Sequence, residues 1–278
     1  MIRIVVDSSA DFFAEELKER GIELVPLNVT LAGETYQDGV NLNKNQFYEI
    51  LTGQEDFPKT SQPSPEDFLN LFEDAKEKGD DVICLLLSSS LSGTCQTAHL
   101  AKNMAEYDRI YIVDSLSATI GIRLLADHAN KLRQENVPAA EIASQLEELK
   151  SRIRIFAGVD TLEFLCRGGR VSRASAAIGE LANIKPIISV NEEGKVVVLG
   201  KCLGKNKALR FLMDKLADNP VDENFPLYSI FTYGTENTEK LEDKLTKAGI
   251  SYTSRQQIGA SIGAHVGPGA FGVIYIAK

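Results

Sequence analysis

The sequence predicts a two-domain α/β protein. The N-terminal part reads as a three-layer α/β domain on a parallel sheet, the C-terminal part as an α+β domain on a mixed or antiparallel sheet. Three observations carry this reading. Short apolar runs in the first half show no alternation, as strands buried on both faces do. Each run ends in hydroxyl or acidic residues and is followed by a stretch with helical periodicity. The second half instead contains a hairpin pattern mixed with helices. At 278 residues the chain suits two domains. The division is placed at residues 1–152 and 153–278.

The elements follow in order. Residues 2–6 are apolar apart from Arg3 and end in Asp7-Ser8-Ser9. The stretch SPEDFLNLFEDAKEKG opens with Ser64 as cap, Pro65 at the first helical position and Asp67 completing a capping box. Phe68, Leu71, Phe72 and Ala75 then share one helical face, and Gly79 closes the helix. Residues 82–87 form a second apolar strand ending in Ser88-Ser89-Ser90, and residues 110–113 a third ending in Asp114-Ser115. Pro138 opens a helix with Ile142, Leu146 and Leu149 on one stripe. KPIISVNEEGKVVVLG is a hairpin turning at 191–194. Residues 205–216 and 236–247 read as helices, and residues 225–233 and 270–277 as strands. Polar residues at the carboxyl ends of parallel strands stand where open α/β sheets bind ligands.

Composition narrows the function. The chain is 44% hydrophobic and 25% charged, so it buries a full core without staples. A formal charge of −9 argues against nucleic acid as partner, and an anionic ligand would need a locally positive pocket. Cys84, Cys95, Cys166 and Cys202 form no CxxC pair and lack a histidine to complete a zinc set, so they read as reduced and the protein as cytoplasmic. The first apolar run is too short for a signal peptide, and no run of 18 apolar residues spans a membrane.

Two nucleotide motifs fail on context. GPGAFG matches GxGxxG through Gly267, Gly269 and Gly272, but a strand follows it where a helix is required. GKCLGK at 200–205 is one residue short of a Walker loop, and Asn206 stands where a magnesium-binding hydroxyl belongs. His99 and His128 have no partner one helical turn away, so no metal site is expected. Asp7 and Asp114, at strand ends, read as caps of the following helices, with a bound cation as the alternative. Three clusters remain: residues 59–64, residues 88–94, and His265 within GAHVGPGAFG. Hydroxyls at helix starts serve as caps. Ser92, Gly93 and Thr94 equally suit an anion site at a helix N-terminus. A Ser92–His265 hydrolase or acyltransferase is the rival reading, although the serine motif lacks the GxSxG elbow. A smaller anionic metabolite at the same site is another.

Six ordered stretches together resemble one family: VVDSSAD at 5–11, KTSQPSPEDF at 59–68, SSSLSGTCQ at 88–96, LEFLCRGGRVS at 162–172, IKPIISV at 184–190 and GAHVGPGAFG at 263–272. The chain resembles, nearly end to end, the DegV family of bacterial fatty-acid-binding proteins of the FakB type. The resemblance implies a tunnel between the domains for one long-chain, palmitate-like fatty acid, with no cofactor and no catalysis. It implies a carboxylate held by Thr60, Ser61, Ser92 and His265, with Gly93 and Thr94 adding donors. It implies presentation of the lipid to a separate ATP-dependent fatty acid kinase, with transient membrane contact for lipid exchange. Arg170, in the basic turn Arg167-Gly168-Gly169-Arg170, reads either as surface charge or as support for the carboxylate or kinase docking. One departure stands out. Family members often carry Arg-Thr before a Lys-Lys-Ala segment, where this chain has Leu203-Gly204 and then Asn206, which puts kinase docking in question.

Overall fold

The computed structural model describes residues 1–172 and 183–278. Its first sheet is parallel, in the order β2-β1-β6-β7: β1 Ile2–Asp7, β2 Ile22–Val25, β6 Asp81–Leu86 and β7 Ile110–Asp114. Helices α3 (Pro65–Lys78) and α4 (Thr94–Ala105) cover one face through Phe68, Phe72, Ala98 and Ala101. Helices α5 (Ile120–Gln134) and α6 (Ala139–Leu149) cover the other. The predicted three layers are therefore present. Helix α3 starts as its sequence requires: Ser64 Oγ accepts from Asp67 N, and the Asp67 carboxylate accepts from Ser64 N.

The second sheet has six strands in the order β10-β9-β8-β13-β11-β12. These are β8 Ile153–Gly158, β9 Ile184–Val190, β10 Val196–Leu203, β11 Tyr228–Phe231, β12 Ser254–Gln257 and β13 Phe271–Ile276. All neighbours are antiparallel except β11 and β12, so the sheet is mixed, as expected. Helices α8 (Lys205–Asp218) and α9 (Glu236–Lys247) pack on its outer face through Leu209, Leu212, Leu241 and Leu245. Its inner face joins α5 and the parallel sheet in one apolar cluster that includes Ile4, Val6, Leu125, Ile155, Ile230 and Ile274. Strand alternation sorts the residues: Ile155 and Ala157 of β8 face this shared core, while Phe156 faces the outer helices.

A third sheet was not anticipated. Strands β3 (Asn28–Leu31), β4 (Glu34–Gln37) and β5 (Lys59–Ser61) form an antiparallel sheet in the order β4-β3-β5. Residues 59–61, read from sequence as part of a hydroxyl-rich cap, are thus a strand. Each of the three is only three or four residues long and carries no apolar run. Between β4 and β5 lies α2 (Lys44–Thr52), capped by Asn43.

Acidic residues at the strand ends tie the sheet together, as their capping character suggested. Asp7 is fully buried and accepts from Ser9 N at 3.0 Å, from Leu87 N at 2.7 Å and from the Ser9 hydroxyl. Asp114 accepts from Ser89 N and Leu116 N. Burial outweighs the bonds to Asp7 and pushes its carboxyl up to about 6. A folded value above the unfolded one means that this group favours folding below the ordinary aspartate range. That contribution is lost as pH rises through about 6. A carbon-13 NMR titration of the Asp7 carboxyl is expected to show a midpoint near 6. A midpoint at the ordinary aspartate value of about 3.9 contradicts this account.

Candidate functional site

The carboxyl ends of the parallel strands point toward the inner face of the mixed sheet. Between them lies a narrow cavity with about 830 Å³ of space between atoms, its mouth included. Its walls are aliphatic. Leu27, Leu87, Leu91 and Ala118 come from the loops after the parallel strands. Ile155, Ala157, Ile188, Val190, Val196 and Ile230 come from the mixed sheet, and Ile258, Ile262 and Val266 from the segment before β13. Polar groups reach the wall at Thr60, Ser92, Thr119, Arg170, Ser189, Ser261 and His265.

His265 sits in the last turn of a short helix, α10 (Ala260–Val266). The sequence suggested a turn here, because four glycines surround the histidine. Gly263 stands within this helix because a side chain there would strike Tyr48, whose Oη would be 2.4 Å from the added Cβ. Gly267 ends the helix with φ +72°, and its bare α-carbon lies against Phe164. Helix α10 packs on α2, on β3 and β5, and on α7 (Glu163–Arg167). That packing brings His265 Nε2 to 2.8 Å from Thr60 Oγ1, across 205 residues of sequence.

The basic turn contributes twice. Gly168 is required by space: a Cβ there would lie 2.2 Å from His265 Nδ1. Arg170 lines the cavity and donates to Leu91 O from Nε at 3.0 Å and from Nη2 at 2.8 Å, and to Gly168 O from Nη1 at 2.5 Å. Among the described residues no carboxylate lies within ion-pair distance of it. Burial pulls its pKa down, the sign of a cation kept partly from water.

The protein groups around His265 push its pKa down to about 4, through burial first and the Arg170 charge second. The ring is therefore neutral near pH 7 when only protein surrounds it. Nδ1 is sealed from solvent and has no hydrogen-bond partner among the described residues. An anion beside this pair would meet a fixed guanidinium and would favour protonation of the imidazole.

The expected site residues divide. Thr60, Ser92, Arg170 and His265 all line the cavity, and Thr60 meets His265 directly. Ser61, one step further along β5, is exposed on the other side of the strand. Gly93 and Thr94 begin α4 and are not on the wall. Gly93 has a packing reason instead: a Cβ would lie 2.1 Å from Gln62 Oε1, and Gln62 in turn donates to Thr97 Oγ1 at 2.8 Å. The Thr94 hydroxyl lies 2.9 Å from that of Ser92. Ser88 and Ser90 donate to Gly194 O and Glu193 O, so the hairpin turn clamps the serine loop. Sequence reasoning did not single out Thr119, Ser189 and Ser261, although Ser189 lies within the stretch IKPIISV. No group of three side chains able to hold a metal ion occurs among the described residues. None of the described helices is long and apolar enough to cross a membrane.

Comparison with known proteins shows the family of the chain. The family described as "Uncharacterised protein, DegV family" matches residues 1–278. A DegV domain-containing protein of Caldanaerobacter subterraneus is 37% identical, covering 100% of this chain and 99% of its own. Among solved structures, a fatty-acid-binding DegV family protein of Thermus thermophilus superposes with a TM-score of 0.89 at 30% identity, covering 100% of this chain and 99% of its own. A stearic-acid-binding protein of Eubacterium ventriosum superposes with a TM-score of 0.89 at 28% identity, again covering 100% and 99%. DegV of Bacillus subtilis, a fatty-acid-binding protein, gives 0.85 at 31% identity, with the same coverage. The chain belongs to the DegV family.

Proposed function

We propose that the protein binds one long-chain fatty acid, with the acyl chain in the aliphatic cavity and the carboxylate at Thr60, Ser92, Arg170 and His265. The observation that carries this reading is the pairing of an aliphatic cavity with a cation that lacks a carboxylate partner among the described residues. Such a site suits an amphiphile with an anionic head. The fatty-acid-binding relatives of similar fold support it. The tail supplies most of the affinity: about 0.8 kcal/mol per buried methylene gives roughly 11 kcal/mol gross for a palmitate-like chain. Each hydrogen bond to the charged head adds about 1.5–3 kcal/mol net. The head group thus selects acid over alcohol or ester.

In this reading the protein is a carrier. It presents the carboxylate to an ATP-dependent fatty acid kinase, where a carboxylate oxygen attacks the γ-phosphorus and ADP leaves. Beside the cavity lies an open groove lined by Ser89, Ser90, Arg170, Lys195 and Lys201, sharing Ser92 and Arg170 with the cavity itself. It offers the kinase access to the head group. Leu203, at the family's arginine position, is exposed on the edge strand β10, so docking would rely on the neighbouring lysines. The hydrolase reading draws less support. Thr60, not Ser92, meets the imidazole, and no acid orients Nδ1 among the described residues.

Denaturing extraction of the purified protein, followed by lipid mass spectrometry, is expected to release a long-chain fatty acid close to one per chain. Its absence from several independent preparations contradicts the proposal. His265→Ala is expected to weaken palmitate binding about tenfold or more, the loss of a hydrogen bond to a charged group, with the circular dichroism spectrum unchanged. Gly168→Ala should weaken it comparably by displacing the imidazole, and undiminished affinity in that variant would refute the role assigned to the close approach at Nδ1.

A further inference from the structure

The helix that carries His265 is held from its other end. Residues 257–261 connect β12 to α10, and four of their backbone groups are gripped by side chains from the first fifth of the chain. Lys44 Nζ donates to Gln257 O at 2.8 Å, and Tyr48 Oη to Ile258 O at 2.9 Å. Gly259 N donates to Asp11 Oδ1 at 2.7 Å, and Ser261 N to Asp38 Oδ2 at 2.9 Å. Asp11 also accepts from the Thr119 hydroxyl, and Lys44 also donates to Asp11 O at 2.8 Å. Lys44 Nζ stands 3.9 Å from Asp11 Oδ1. Asp11, Asp38 and Tyr48 are buried, and the Lys44 side chain is 11% exposed.

Three ionisable groups sealed in this way are a poor means to stability. Buried charges carry a desolvation cost that their attraction need not recover. Burial raises both aspartates and lowers Lys44, so each charge is held against the pull of its surroundings. The other charged or titratable groups that act on the cluster are Asp7, Tyr48, Arg123 and Glu16. A seven-residue helix does not hold itself together in water. Its bonds run from Gly259 O to Gly263 N at 2.7 Å and from Gly263 O to Gly267 N at 2.8 Å, past His265. Whatever fixes the start of this helix fixes the imidazole.

We propose that Asp11, Asp38 and Lys44 are positioning residues for head-group recognition, setting helix α10 so that His265 meets Thr60 where a lipid carboxylate is read. The inference rests on the fatty-acid reading given above. None of the three lines the cavity; they act through the backbone of Gln257, Gly259 and Ser261.

The test compares an acid with its alcohol. Palmitate and hexadecanol share the tail, and only palmitate needs the carboxylate site. Asp38→Ala is expected to weaken palmitate about tenfold while hexadecanol stays within about twofold. Asp38→Asn, which keeps an acceptor for Ser261 N, should recover most of the loss. Lys44→Met is a second variant with the same expected split between acid and alcohol. Equal losses for both ligands, or no loss for either, overturn the proposal. Wild-type protein that binds neither ligand refutes the fatty-acid reading itself. The imidazole NMR resonances of His265 then decide separately: a shift in Asp38→Ala supports the positioning role, and unmoved resonances overturn it.

Discussion

Thr60 Oγ1 and His265 Nε2 meet at 2.8 Å although 205 residues separate them. Much of the rest of the fold serves that contact. Thr60 is placed by the small antiparallel sheet, in register with Val29. His265 is placed by a short helix wedged among α2, α7, β3 and β5. Gly168 leaves the room for the ring, and Gly263 the room for the helix. Arg170 then sets a positive charge on the same wall. A small displacement of any of these parts would separate the head-group ligands, because a bond of this length weakens steeply as its geometry degrades.

The chemistry follows from what surrounds the pair. Burial and a neighbouring cation keep the imidazole neutral, with its pKa near 4. An arriving carboxylate opposes these influences, since an opposite charge favours the protonated ring. The site thus presents the Arg170 charge to an anion, and the imidazole gains a second positive charge more readily once an anion stands beside it. The aliphatic walls supply affinity without selectivity for the head, while the polar end supplies selectivity at a small energetic cost. Division of labour of this kind suits a carrier, which must hold its cargo without transforming it.

Much of this was legible in the chain. Non-alternating runs at 2–6, 82–87 and 110–113 gave the parallel sheet because strands buried on both faces need no polar side. The hairpin turning at 191–194 and the helix opened by Ser64 and Pro65 declared themselves through local chemistry. The motif carrying His265 was visible, but its secondary structure was not. Glycine weighs against helix, and the tertiary packing of the segment on α2, α7, β3 and β5 overrides that. Strands β3 to β5 were missed because short strands in a small sheet need few apolar residues. Asp38 and Lys44 gave no signal either, since burial turns an ordinary surface residue type into a structural device, and burial is not written locally. Ser61 was expected from the family resemblance, and Gly93 from sharing a turn with Ser92; strand alternation turns Ser61 outward and Gln62 takes up the space at Gly93.

The central claim is that His265 reads a carboxylate and makes no covalent bond. An NMR titration of the His265 ring, with and without bound palmitate in delipidated protein, tests it most directly. The account predicts a pKa near 4 without the lipid and an upward shift of roughly a unit or more when palmitate is bound. A pKa that does not move on binding would contradict it.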